Sequence, residues 1–197
     1  MIDTKFRKIA QPGFDSIAKG FVALKLTPTT ISIFAFFIGI IASVFLSQGY
    51  ILVSLVLLWA SGLFDVIDGT VARMTNKSSK LGAFYDLIFD RMVESSIILG
   101  FYFFHPEYAL AYLIFFIAVI FNFSTFMIAG ALFKNESSKS MHYDIGLAER
   151  TETFIIFTLM MIFHKYLFWI LMFFNIIIFI TGGIRFFRIT KNSSNFS

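Results

Sequence analysis

Six stretches of this chain are apolar over close to the length needed to cross a bilayer, and that constrains the fold more than anything else in the sequence. A spanning helix needs about 20 consecutive apolar residues, and lipid forces every backbone polar group to be satisfied within the segment. The first stretch, residues 29–47, follows Pro28, a residue suited to a first helical turn, and is closed by Gly49. The second, residues 50–71, turns polar only in its last two turns. The third, residues 81–104, is polar in its first half and ends at His105, Pro106 and Glu107. The fourth covers residues 108–133, and a solvated Ser, Lys and Asn loop follows at 134–146. The fifth, residues 147–163, begins with Glu149, Arg150 and Glu152, and the sixth runs over residues 166–187. The pattern predicts an all-α integral membrane protein of six transmembrane helices.

Composition agrees, with 58% hydrophobic and only 14% charged residues, which excludes an ordinary water-soluble domain. The absence of cysteine excludes disulfides and thiolate metal sites, so any metal must be held by oxygen or histidine. Residues 1–27 mix apolar residues with Lys5, Arg7, Lys8, Asp15 and Lys19 and have no uninterrupted apolar run of signal-peptide length. They predict an amphipathic juxtamembrane helix on the membrane surface. Residues 28–190 form the six-helix bundle, residues 191–197 a polar tail, and no internal repeat or second domain is evident, so a single domain is expected.

The net charge of +4 does not point to nucleic acid, because the basic residues stand singly at the ends of apolar segments. One side of the bilayer receives Lys5, Arg7, Lys8, Lys19, Lys25, Arg73, Lys77, Lys80, Lys134, Lys139, Arg150, Arg185, Arg188 and Lys191; the other receives only Lys165. Cytoplasmic loops retain positive charge, so both termini are expected in the cytoplasm.

Within the spans, Asp65 and Asp68 lie near the cytoplasmic end of the second, and Asp86 and Asp90 near the cytoplasmic start of the third. Spacings of three and four place each pair on one helical face, and a short connection should make the two helices antiparallel neighbours. Each such charge costs about 2.5 to 3.5 kcal/mol to insert, and clustered carboxylates repel unless cations offset them. One or two hard divalent ions, Mg²⁺ or Mn²⁺, suit an all-oxygen donor set. Around the acids, Gly69 lets a nucleotide approach the backbone, Ala72 leaves room one turn from Asp68, Arg73 suits phosphate oxygens, and Gly82 permits close approach of a helix or ligand.

The run from Asp65 to Asp90 resembles the signature of the CDP-alcohol phosphotransferase family, D-x2-D-G-x2-A-R-x8-G-x3-D-x3-D, at all eight fixed positions. The Thr27-Pro28 step is also similar to that family, although Thr29 stands where an Asn is frequent. The resemblance implies that Asp65, Asp68 and Asp86 are metal ligands and that Asp90 completes the site, with two Mg²⁺ or Mn²⁺ ions, and acts as general base. It implies that Asp65, Asp68, Gly69, Ala72, Arg73 and Gly82 line the CDP site, and that the donor is CDP-diacylglycerol reached from the bilayer at the cytoplasmic side. A homodimer is a further expectation of the resemblance.

The resemblance implies a small polar alcohol as acceptor, with inositol, inositol phosphate, glycerol phosphate and serine open in about that order. Arg91 after Asp90 resembles the inositol-type members, residues 124–131 lack the basic residue of inositol-phosphate members, and Leu87 stands where glycerol-phosphate and serine members carry Pro or Ser. Arg150 and Glu94 are candidate acceptor contacts, against capping by the Glu149–Glu152 turn and pairing of Glu94 with Arg91 as the plainer alternatives. His142 and Tyr143 are weaker candidates. His105 and His164 fall on the membrane side away from the aspartates, and Asn122 and Ser124 suit interhelical hydrogen bonding. Two rivals remain open: a choline or ethanolamine phosphotransferase using diacylglycerol as acceptor, and a non-enzymatic cation carrier.

Overall fold

A computed structural model describes the backbone of residues 2–132 and 150–192 and the side chains of residues 11–132 and 151–191. The described residues are helical and contain no strand. The helices are α1 (Ile2–Ala23), α2 (Pro28–Ser47), α3 (Ile51–Met74), α4 (Lys80–Phe104), α5 (Ala109–Leu132), α6 (Arg150–Ile162) and α7 (Leu167–Asn192), with single 3₁₀ turns before α5 and α7. Four segments, Pro28–Ser47, Ile51–Met74, Pro106–Leu132 and His164–Lys191, are long and apolar enough to cross a membrane. The expected third and fifth spans differ. Helix α4 has the length, but Asp86, Asp90, Arg91 and Glu94 interrupt its apolar character. Helix α6 extends over 13 residues, and residues 147–149 of the expected span lie outside the described residues. Helix α7 runs past its expected end at residue 187 to Asn192.

Local chemistry explains the boundaries. Thr27 caps α2, its hydroxyl accepting from the Thr30 N–H at 3.2 Å, with Pro28 in the first turn where its missing N–H costs nothing. Ser79 caps α4 in the same way through the Gly82 N–H at 3.0 Å. Helices α1, α2 and α3 all end in a Schellman turn, with Lys25, Gly49 and Asn76 at φ of 56°, 82° and 53°. In α2 the accompanying apolar contact is Phe45 against Tyr50, ring centroids 6.0 Å apart.

The chain forms two compact units, Met1–Glu107 and Tyr108–Ser197. In the first, α2 is the hub. Helices α3 and α4, expected to be direct neighbours, each pack along α2 and make few contacts with one another. Small residues bring the helices together: a Cβ at Gly39 of α2 would stand 2.7 Å from Val93 of α4 and 2.9 Å from Ser61 Oγ of α3, and one at Gly100 would stand 2.7 Å from the Ser43 carbonyl. Two hydroxyls close the seams, Ser61 donating to the Ala35 carbonyl at 2.7 Å and Ser43 to the Ser96 carbonyl. Helix α1 lies against α3, burying Ala18 beside Ile67 and Val71, with Phe21 edge-on to Phe64.

In the second unit α5 and α7 pair through aromatic contacts, Phe115 with Phe174 and Phe121 with Phe179, and through polar groups between them. Asn175 donates to the Ala111 carbonyl at 3.0 Å. Arg185, 8% exposed, donates to the Asn122 carbonyl and Oδ1, both at 2.9 Å, and lies over the Phe126 ring. Asn122 therefore acts as the interhelical contact expected of it.

Candidate active site

The last turns of α3 and the first turns of α4 carry the acids because their apolar positions are used on other faces. Ile67 and Val71 of α3 are buried toward α1, and Val93 and Ile97 of α4 are buried in the core, so the three- and four-residue spacings leave Asp65, Asp86 and Asp90 on other faces. One carboxylate oxygen from each of Asp65, Asp86 and Asp90 lies within 4.8 Å of the others. Oxygens bound to a single Mg²⁺ at about 2.1 Å stand roughly 3 to 4 Å apart, so a small side-chain adjustment makes this donor set fit one hard divalent cation. Asp86 is exposed and the other two are half-buried, which leaves an entry path.

Asp68 is not part of that group of three. It is 7% exposed, and its Oδ2 accepts a 2.5 Å hydrogen bond from Ser32 Oγ of α2. The other predicted residues fall around the acids. Only Arg73 Nη1, at 3.5 Å, lies within 4 Å of where a Gly69 Cβ would stand, so the Gly69 face is open, as close approach by a ligand requires. Arg73 is exposed and donates to Thr70 Oγ1 at 3.0 Å, one turn back on α3, and Ala72 is half-buried beside it. At Gly82 only Ser79 Oγ is near, at 3.3 Å, so no helix closes on it.

Glu94 is 4% exposed and accepts from Arg91 Nη2 at 2.6 Å. Arg150 opens α6, but its side chain lies outside the described residues, as do His142, Tyr143 and Glu149. His105 pairs with Glu107 at 2.8 Å in the connection after α4, away from the acids along that helix.

Two polar contacts between helices were missed in the sequence. Ser32 sits one turn after Pro28, and a hydroxyl inside an apolar span at that position was the available signal. Arg185 was counted only as a marker of topology, although it is the basic residue that approaches the fourth apolar stretch, from α7. An aromatic stack, Phe36 on Phe89 at 4.7 Å and Phe89 on Tyr85 at 5.6 Å, also ties α2 to the α4 residues that flank Asp86 and Asp90.

Comparison with known proteins bears on this geometry. The sequence model of the CDP-alcohol phosphatidyltransferase family matches residues 25–181. The chain is 33% identical over 160 residues to the archaetidylinositol phosphate synthase of Pyrococcus horikoshii, covering 80% of each chain. It is 32% identical over 98 residues to the phosphatidylinositol phosphate synthase of Corynebacterium glutamicum, covering 49% of this chain and 45% of that one. Its fold is similar to the crystal structure of Mycobacterium tuberculosis phosphatidylinositol phosphate synthase with CDP-DAG bound, with a TM-score of 0.75, 21% identity, and 88% of this chain and 91% of that chain covered. The same mycobacterial enzyme in complex with manganese and citrate aligns with a TM-score of 0.75, 22% identity, and 88% and 87% coverage.

Proposed function

The chain belongs to the CDP-alcohol phosphatidyltransferase family and is an integral membrane enzyme, and we propose that it transfers a phosphatidyl-type group from a CDP-linked lipid to a hydroxyl of inositol phosphate, releasing CMP. The observation that carries the choice of acceptor is the 33% identity to an archaetidylinositol phosphate synthase across 80% of both chains. It moves inositol phosphate ahead of inositol, glycerol phosphate and serine. Arg150, at the start of α6, is the cation we assign to the acceptor phosphate.

Asp65, Asp86 and Asp90 are the ligands we assign to a divalent cation, with Asp68 as a fourth carboxylate and two ions in the complete site. Bound there, Mg²⁺ or Mn²⁺ would polarise the diphosphate and offset the charge of departing CMP. Gly69, Ala72 and Gly82 admit the nucleotide to the backbone, and Arg73 holds its phosphates. The Asp90 carboxylate takes the proton of the acceptor hydroxyl as that oxygen attacks the lipid-bearing phosphorus, and the bond from that phosphorus to the CMP oxygen breaks. Glu94 holds Arg91 and so fixes the α4 wall; acceptor contact is its second candidate role. The helices α2–α7 are assigned as six spans of one catalytic domain, since the family match runs through both compact units, with α1 along the surface and the acids opening to the cytoplasm.

The test is CMP release from CDP-diacylglycerol, and from its archaeal ether counterpart, against inositol, inositol phosphate, glycerol phosphate and serine offered singly. Release dependent on inositol phosphate is expected. Release dependent on another alcohol overturns the acceptor, and release from CDP-choline with diacylglycerol overturns the donor.

A further inference from the structure

The function proposed above counts Asp68 as a fourth carboxylate of the site, yet the four acids do not gather symmetrically. Asp65, Asp86 and Asp90 offer oxygens to a common point, whereas Asp68 is buried and engaged by a hydroxyl from a third helix. Ser32 Oγ has two acceptors in reach, the Pro28 carbonyl at 3.1 Å one turn back and Asp68 Oδ2 at 2.5 Å. A hydroxyl has one proton, and the shorter contact is in the range of a charge-assisted O–H···O⁻ bond, about 2.5 to 2.7 Å. The carboxylate is therefore the principal partner. It needs one, since a buried charge without hydrogen bonds is costly.

Resting on that metal-dependent function, we infer that Ser32 is a positioning residue: its hydroxyl fixes the plane of the Asp68 carboxylate from the α2 side and thereby sets the affinity of the acidic site for its cation. The architecture supports this. Helices α3 and α4 touch each other little and both lean on α2, so the spacing of the acids is set through α2. Ser32 is the α2 side chain that hydrogen-bonds an acid of the family signature, and Phe36, one turn further, stacks on Phe89 next to Asp90. The same face of α2 thus holds one acid-bearing helix by a hydroxyl and the other by a ring. Groups that orient metal ligands without touching the metal typically alter affinity 10- to 100-fold when removed.

The experiment is Mn²⁺ binding to the purified full chain in detergent, read as the free Mn²⁺ signal in electron paramagnetic resonance, alongside metal-free melting. Four variants are compared with the native protein: Ser32→Ala, Ser32→Thr, Ser61→Ala and Asp90→Asn. Ser61 is the control for hydroxyl packing, since it closes the same α2–α3 seam by donating to the Ala35 carbonyl and touches no acid. We expect Ser32→Ala to weaken Mn²⁺ about 10-fold, Ser32→Thr to restore most of the affinity, and Ser61→Ala to leave it unchanged. Native affinity in Ser32→Ala with loss in Asp90→Asn overturns the role of Ser32 and leaves the metal site standing. Equal weakening in Ser61→Ala reduces Ser32 to packing and overturns it too. No Mn²⁺ binding by the native protein overturns both the role of Ser32 and the metal-dependent function.

Discussion

The acids between α3 and α4 and the arginine between α5 and α7 are both charged groups set into apolar helices, yet they are held in opposite ways. Arg185 is surrounded by dipoles of its own unit: the Asn122 carbonyl and amide oxygen, the Thr125 hydroxyl and the Phe126 ring all face it. Asp65, Asp86 and Asp90 instead bring like charge together within 4.8 Å. A charge inside the bilayer is expensive unless something solvates it. The guanidinium is solvated in place by oxygens and a ring of its own unit, which lets it stay buried. The carboxylates raise one another's energy, which suits a site that takes up a cation. Polar residues in membrane helices can thus be sorted by whether their neighbours complement or repeat their charge.

The largest effect that sharpens this contrast is expected at Asp90. Asp90→Asn should lower CMP release by about 10² to 10⁴-fold, the usual worth of a positioned general base, with melting temperature kept or raised. A variant that unfolds instead would make Asp90 a packing residue like those of the second unit. Next is Glu94→Gln. Glu94 is an acid on the same helix, but Arg91 complements it, so it belongs with the solvated charges. Its loss should cost about 1 to 2 kcal/mol of stability, discounted because Arg91 is partly exposed, and leave Mn²⁺ affinity intact. A loss of Mn²⁺ affinity would move Glu94 into the acidic site. Smallest is Asn122→Ala, which removes one of the dipoles on Arg185 and should cost about 1 kcal/mol in thermal or denaturant unfolding. No change in stability would mean that the solvation of Arg185 is redundant.

Much of the fold was legible because apolar length and helix punctuation are local. Pro28, Gly49 and the break at residues 105–107 fixed both ends of α2 and the end of α4 within a residue or two of where they stand. The approach of Asp65, Asp86 and Asp90 was legible because spacing fixes which face of a helix a residue occupies, whereas Asp68, expected to join them, meets Ser32 of α2 instead. The partnership of helices was not. A short connection between α3 and α4 suggested direct packing, but their seams are set by where small residues fall, and Gly39 and Gly100 direct α3 and α4 onto α2. Ser32 and Arg185 were missed for a related reason. Their roles depend on partners 36 and 63 residues away along the chain, which no local pattern records.

The most direct test of the central claim, that the acids gather like charge in order to hold a cation, is the melting temperature of the native protein and of Asp86→Asn with and without Mn²⁺. Removing one of three repelling charges should raise the metal-free melting temperature by about 2 to 4 °C, the shift that roughly 1 kcal/mol produces at this chain length. Mn²⁺ at about 100 times its dissociation constant should stabilise the native protein by about 2.7 kcal/mol and leave Asp86→Asn nearly unmoved. A lower metal-free melting temperature in Asp86→Asn, or equal stabilisation of both proteins by Mn²⁺, would contradict the account.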